Sequence, residues 1–94
     1  MKYIDAVCKL TKDSKYIMWR EKWVKKGWNM YVRWLPHDRI TVDIPEADLY
    51  PVADYIFCLK TWDGYLRVGY CPTQKEMDKD DWMVGTKTMY DSMR

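Results

Sequence analysis

The chain has 94 residues, enough for one domain. Sixteen basic residues against fourteen acidic ones leave a charge of +2, dispersed along the chain, which gives no electrostatic case for a long polyanion or an anionic membrane surface. No apolar run approaches the ~20 residues that span a bilayer, so a soluble protein is expected.

In chain order, "YIDAVCKLTKD" places Tyr3, Val7 and Leu10, flanked by Ile4 and Cys8, on one helical stripe, and an amphipathic helix ending near Asp13 and Ser14 is expected. "KYIMWR" and "NMYVRWL" (29–35) read as strands, separated by "EKWVKKG", a basic loop with a tryptophan in its middle. Pro36 ends the second strand. "RITVDI" (39–44) alternates strictly and reads as a half-buried strand, and Pro45 and Pro51 make "PEADLYPVAD" a connector.

"DYIFCLKTW" and "YLRVGY" flank Asp63-Gly64, the signature of a type I′ hairpin. The first of these strands is apolar on both faces, which a central or subunit-covered strand explains. In "YCPTQKEMDKDDW", Thr73 and Glu76 have capping-box spacing, so a helix is expected at about 73–80. "DWMV" suggests a last short strand, and residues 86–94 read as a polar tail after a domain of residues 1–85. The class is α+β: a small antiparallel sheet of about five strands, with an N-terminal helix and a short helix near the C-terminus.

Six Trp and eight Tyr beside one Phe form the abnormal feature of the composition. Both residue types combine a flat face with a polar handle and favour pockets and subunit contacts. Cys8, Cys58 and Cys71 have no metal-ligand spacing; with no leader at the start they are expected to be reduced, cytoplasmic and buried as small hydrophobes. No phosphate loop, nucleophile elbow or zinc-protease motif occurs, and the lone His37 lies in a turn-like stretch. The acidic run Glu76, Asp78, Asp80 and Asp81 lacks the glycine and closing glutamate of a calcium loop. No enzyme, metal or cofactor is expected.

Two segments carry binding chemistry. "REKWVKKGW" interleaves Arg20, Lys22, Lys25 and Lys26 with Trp23 and Trp28, the ingredients of a stacking platform and equally of a loop anchored by its tryptophans. The balanced overall charge suits one small anion better than a long polyanion. The start of the Thr73 helix offers free amides to a phosphate, or is only a stable cap.

Asp5-Ala6, Arg20 to Trp23, Met30-Tyr31, Tyr55-Ile56, Asp63-Gly64 and above all "PTQKEMDKDDW" (72–82) follow one another as in a known family. The chain resembles, over about residues 3–84, the small phage proteins of Thoeris anti-defence family 2. That resemblance implies a homo-oligomeric sponge that holds cyclised ADP-ribose or a cyclic dinucleotide without cleaving it. It would act in the cytoplasm of the infected bacterial host.

The chain departs from the family at Lys22, where Gly is favoured, at Tyr70, where Trp is usual, and in the reorganised stretch from Val24 to Asn29. Thr73 and Glu76 stand for Ser and Asp. Carried over, the resemblance implies Trp23 as an aromatic platform, Tyr31 in the adjoining strand, and Pro72, Thr73 and Gln74 at the rim. Arg20 and Arg67 become candidate phosphate partners or surface ion pairs. Tyr70, Trp28 and Asn29 complete the expected ligand contacts, while Asp81 and Trp82 are given structural roles, the carboxylate capping backbone and the indole packing. The competing reading is an interaction module that binds a host protein or single-stranded nucleic acid through residues 20–28.

Overall fold

The computed structural model describes residues 1–36, 55–64 and 66–94, with Ile56 described by its backbone alone. The predicted strand 39–44, the connector after it and His37 lie outside the described residues. Among the described residues five strands are seen: β1 (Tyr16–Arg20), β2 (Tyr31–Pro36), β3 (Tyr55–Lys60), β4 (Leu66–Val68) and β5 (Trp82–Thr86). They form one sheet in the order β4, β3, β2, β1, β5, and every neighbouring pair is antiparallel. The doubly apolar β3 is an interior strand, between β2 and β4, as its pattern requires. Helices stand at both ends of the chain, α1 (Tyr3–Leu10) first, and α2 (Glu21–Lys25) and α3 (Gln74–Met77) are short helices within it. The last is α4 (Lys87–Met93). Among the described residues no helix is long and apolar enough to cross a membrane.

Register assigns side chains to faces. Met18 opposes Val32 and Val84, and Arg20 opposes Trp82, so these five residues share one face of the sheet. α1 covers that face with a stripe of Tyr3, Ala6, Val7 and Leu10, the i, i+3, i+4, i+7 pattern, and the Tyr3 ring meets Trp82 edge to face at 5.2 Å. Ile4 and Cys8, expected on the stripe's flank, are exposed instead. Cys71 is exposed too, so the expectation of three buried cysteines is met only by Cys58. Burial, partly opposed by the Arg33 charge, pushes that thiol up to about 11 and leaves it a small hydrophobe.

Ile17, Trp19, Tyr31 and Gly85 lie on the opposite face, which α4 covers. The expected polar tail is therefore a helix. Its start is capped by the Thr86 hydroxyl, which accepts from the Met89 amide (3.3 Å), and its Tyr90 is fully buried. The polar composition of 86–94 disguised a helix that contributes one large side chain to the core. Gly85 lets that helix close in, since a Cβ there would stand 3.0 Å from the Met89 Sδ and 3.3 Å from Trp19.

The turn between β3 and β4 also differs from expectation. The two strands are joined by five residues, the Gly64 amide donates to the Thr61 carbonyl (3.0 Å), and Gly64 is left-handed at φ +89°. Asp63 has no positive φ, so this is not the two-residue I′ turn.

Candidate functional site

The stretch 21–25, expected as loop, is the helix α2, and the reason it was hidden is that its cap comes from elsewhere in the chain. Arg20 at its N-cap position offers no side-chain cap. Asp81 does so from 61 residues further on: its carbonyl accepts from the Glu21 amide (2.9 Å) and its carboxylate from the Lys22 amide (3.4 Å). The same carboxylate grips Arg20 in a two-pronged pair, Nε to Oδ1 at 3.0 Å and Nη2 to Oδ2 at 3.1 Å. Glu76 Oε2 stands 3.8 Å from Nη1 on the other side. Burial works to raise the Asp81 carboxyl, but hydrogen bonds and charge from Arg20 outweigh it and hold the group below the usual range.

α2 ends in a Schellman motif. The Gly27 amide donates to the Val24 carbonyl (3.0 Å) and the Trp28 amide to the Trp23 carbonyl (2.9 Å), with Gly27 left-handed at φ +74°. This motif fixes two tryptophans at one corner with opposite fates. Trp23 is 3% exposed and packs edge to face on Trp82 (5.7 Å), while Trp28 is 40% exposed with the Lys26 ammonium 5.1 Å from its ring centroid.

Across from α2, Thr73 and Glu76 complete the predicted capping box of α3: the Thr73 hydroxyl accepts from the Glu76 amide (3.2 Å) and Glu76 Oε1 accepts from the Thr73 amide (3.2 Å). The helix spans four residues where about eight were expected. So short a helix has little dipole of its own. The Trp82 Nε1–H donates to the Glu76 carbonyl (3.0 Å), so the buried indole also anchors α3 to the sheet.

Between α2 and α3 lies an open cleft of about 370 Å3, near the lower end for small-ligand sites. Arg20 and Trp23 form its base, Trp28 one wall, and Thr73 and Glu76 the other; Lys22, Lys75 and Lys79 stand around it. The Arg20 charge is matched by Asp81 at its back. The three lysines form no ion pair among the described residues, so they supply the uncompensated positive charge of the cleft.

Of the ten residues expected at a ligand, four border this cleft: Arg20, Trp23, Trp28 and Thr73. Trp23 offers it little more than an edge, and the exposed flat ring is that of Trp28. Tyr31 faces the other side of the sheet, where it meets Tyr90 edge to face at 5.3 Å. Asn29 turns its Oδ1 to the Tyr90 hydroxyl (3.2 Å), and Gln74 donates to Asp78 (3.0 Å). Pro72 is buried, and Arg67 is exposed on β4 opposite Leu59, away from the cleft. Tyr70 is half-buried with an enclosed hydroxyl that has no partner among the described residues, and burial, reinforced by Glu76, raises its phenol.

Lys75 and Lys79 were not foreseen. Their signal was present in the expected helix 73–80, where they stand four residues apart; in the structure Lys75 lies in α3 and Lys79 just beyond its end. Among the described residues no three His, Cys, Asp or Glu side chains gather as a metal site. No protein-family model matches the chain, and no curated protein matches it either.

Proposed function

We propose that this protein binds and sequesters a cyclic nucleotide signal, cyclised ADP-ribose or a cyclic dinucleotide, without cleaving it, as a homo-oligomeric phage inhibitor of bacterial immunity. It would do so in the cytoplasm of the infected host. The observation that carries the reading is the cleft, which the exposed Trp28 ring lines together with three lysines that form no ion pair among the described residues. A flat face for a base and point charges for phosphates are what such a ligand requires. The resemblance of "PTQKEMDKDDW" to Thoeris anti-defence family 2 names the ligand class and the oligomer.

Glu76, the one carboxylate among the described residues lining the cleft, is held by the cap and lies beside Arg20, which suits a wall better than a general base. An open cleft of this size leaves much of a cyclic nucleotide uncovered, and a second copy of the chain would close over it. The test is incubation with cyclised ADP-ribose, heat denaturation and assay of the supernatant. Sequestration returns intact ligand only after heating. A hydrolysed product would mean catalysis, and ligand free throughout would reject this ligand.

A second reading has its own observation: Lys22, Lys25 and Lys26 continue the positive surface around the far side of α2, in a second depression with Glu21 and Asp81. Single-stranded nucleic acid would follow such a surface, and a band shift that weakens steeply with salt would favour it.

A further inference from the structure

The wall of the cleft that carries Trp28 is held from behind by the C-terminal helix. Tyr90 crosses under the sheet's second face and meets Trp19 (5.1 Å) and Tyr31 (5.3 Å) edge to face. Its hydroxyl reaches two acceptors on the segment that follows α2, the Trp28 carbonyl (3.3 Å) and Asn29 Oδ1 (3.2 Å). One proton serves both. Burial, against the opposing charges of Arg94 and Lys87, raises the phenol, so the hydroxyl keeps that proton at neutral pH. The Lys87 ammonium lies over the Tyr31 and Tyr90 rings at 5.5 and 5.4 Å and closes the outer side of this cluster.

Trp28 needs such support. On its own side it is held by the Schellman bond to Trp23, and its indole is exposed. α2 has five residues, too few to be rigid without tertiary contacts. Asn29, whose side chain was expected to contact ligand, serves instead as an acceptor for Tyr90.

The geometry assigns Tyr90 as a positioning residue for the cleft, tying the C-terminal helix to the backbone of Trp28 and so orienting the exposed ring. Tyr90 touches no ligand; it fixes the wall that does. The consequence for affinity rests on the cleft being the ligand site, whereas the consequence for the order of residues 27–29 does not.

Tyr90→Phe keeps the ring and removes the hydroxyl. In the full-length protein, hydrogen exchange of the Gly27 and Trp28 amides should accelerate roughly fivefold, the factor that goes with one ordinary hydrogen bond, while strand amides of β1 stay protected. Titration with cyclised ADP-ribose should show several-fold weaker binding than in the parent. Unchanged exchange at Gly27 and Trp28 in a folded Tyr90→Phe protein overturns the assignment, as does unchanged affinity where the parent binds.

A parent that does not bind cyclised ADP-ribose counts against the sequestration reading, and the exchange result then decides the role of Tyr90 by itself. Should Tyr90→Phe not fold, Asn29→Ala and Asn29→Asp take its place. Loss of the acceptor in Asn29→Ala should speed exchange, and Asn29→Asp, which retains one, should restore it. Equal rates in the two variants overturn the assignment.

Discussion

The two faces of the sheet use the same aromatic chemistry to opposite ends. Beneath α4, Trp19 and Tyr31 meet Tyr90 edge to face in a buried cluster, and Tyr90 turns its hydroxyl to acceptors outside it. On the α2 side, Trp82 and Trp23 repeat that packing, but the chain then rises through Gly27 and leaves Trp28 in the open beside the cleft lysines. A surplus of tryptophan is therefore not in itself a binding signal. Trp19, Trp23 and Trp82 are core and Trp34 is half-buried; only Trp28 and Trp62 stand exposed. What marks the cleft is an exposed ring together with lysines that form no ion pair among the described residues.

Substitutions can break this contrast. The largest effect is expected from Tyr90→Ala and Trp23→Ala, each of which empties a buried aromatic volume at about 3–5 kcal/mol in urea unfolding, a large part of a small domain's stability. If Trp23→Ala instead left stability intact and removed only binding, Trp23 would belong to the ligand and not to the core.

Next comes Arg20→Met, which leaves the Asp81 carboxylate without its partner; because Asp81 is partly exposed, a loss of about 2 kcal/mol is expected, less than for a fully buried pair. This pair also sets an acid dependence. The folded Asp81 carboxyl titrates below its unfolded value of 3.8, so its contribution is complete above that value and is lost as pH falls through the lower folded value. Unfolding followed against pH should show a smaller acid-side loss in Arg20→Met than in the parent, the backbone bonds to Asp81 remaining.

Gly27→Ala meets no neighbouring atom, so its cost is that of a left-handed alanine, about 1 kcal/mol, accompanied by faster exchange at the Trp28 amide. The smallest effect on stability belongs to Trp28→Ala, within about 0.5 kcal/mol, and it sharpens the comparison most. The same substitution should abolish binding of cyclised ADP-ribose, and Lys75→Ala with Lys79→Ala should weaken it and reduce its salt dependence.

Much of the architecture was legible in local pattern. β1, β2, β3 and the Thr73–Glu76 cap came from short apolar and aromatic runs, a turn signal and capping chemistry, which are properties of residues a few positions apart. What escaped was decided by partners distant in the chain. α2 takes its cap from Asp81, so no nearby residue announces it. α4 looks polar because a seven-residue helix needs only Tyr90 in the core to hold it there.

The site divides in the same way. Aromatic and basic residues around 20–28 and the helix start at Thr73 were visible as two unconnected stretches, because side-chain type and short-range spacing are written in sequence. That they face each other across one cleft, and that Trp28 rather than Trp23 presents its ring there, followed only from pairing β5 with β1. That pairing puts Asp81 against Arg20 and draws α3 over to α2. Burial is a property of the assembled sheet, and two identical indoles five residues apart acquire their different surroundings only when it closes.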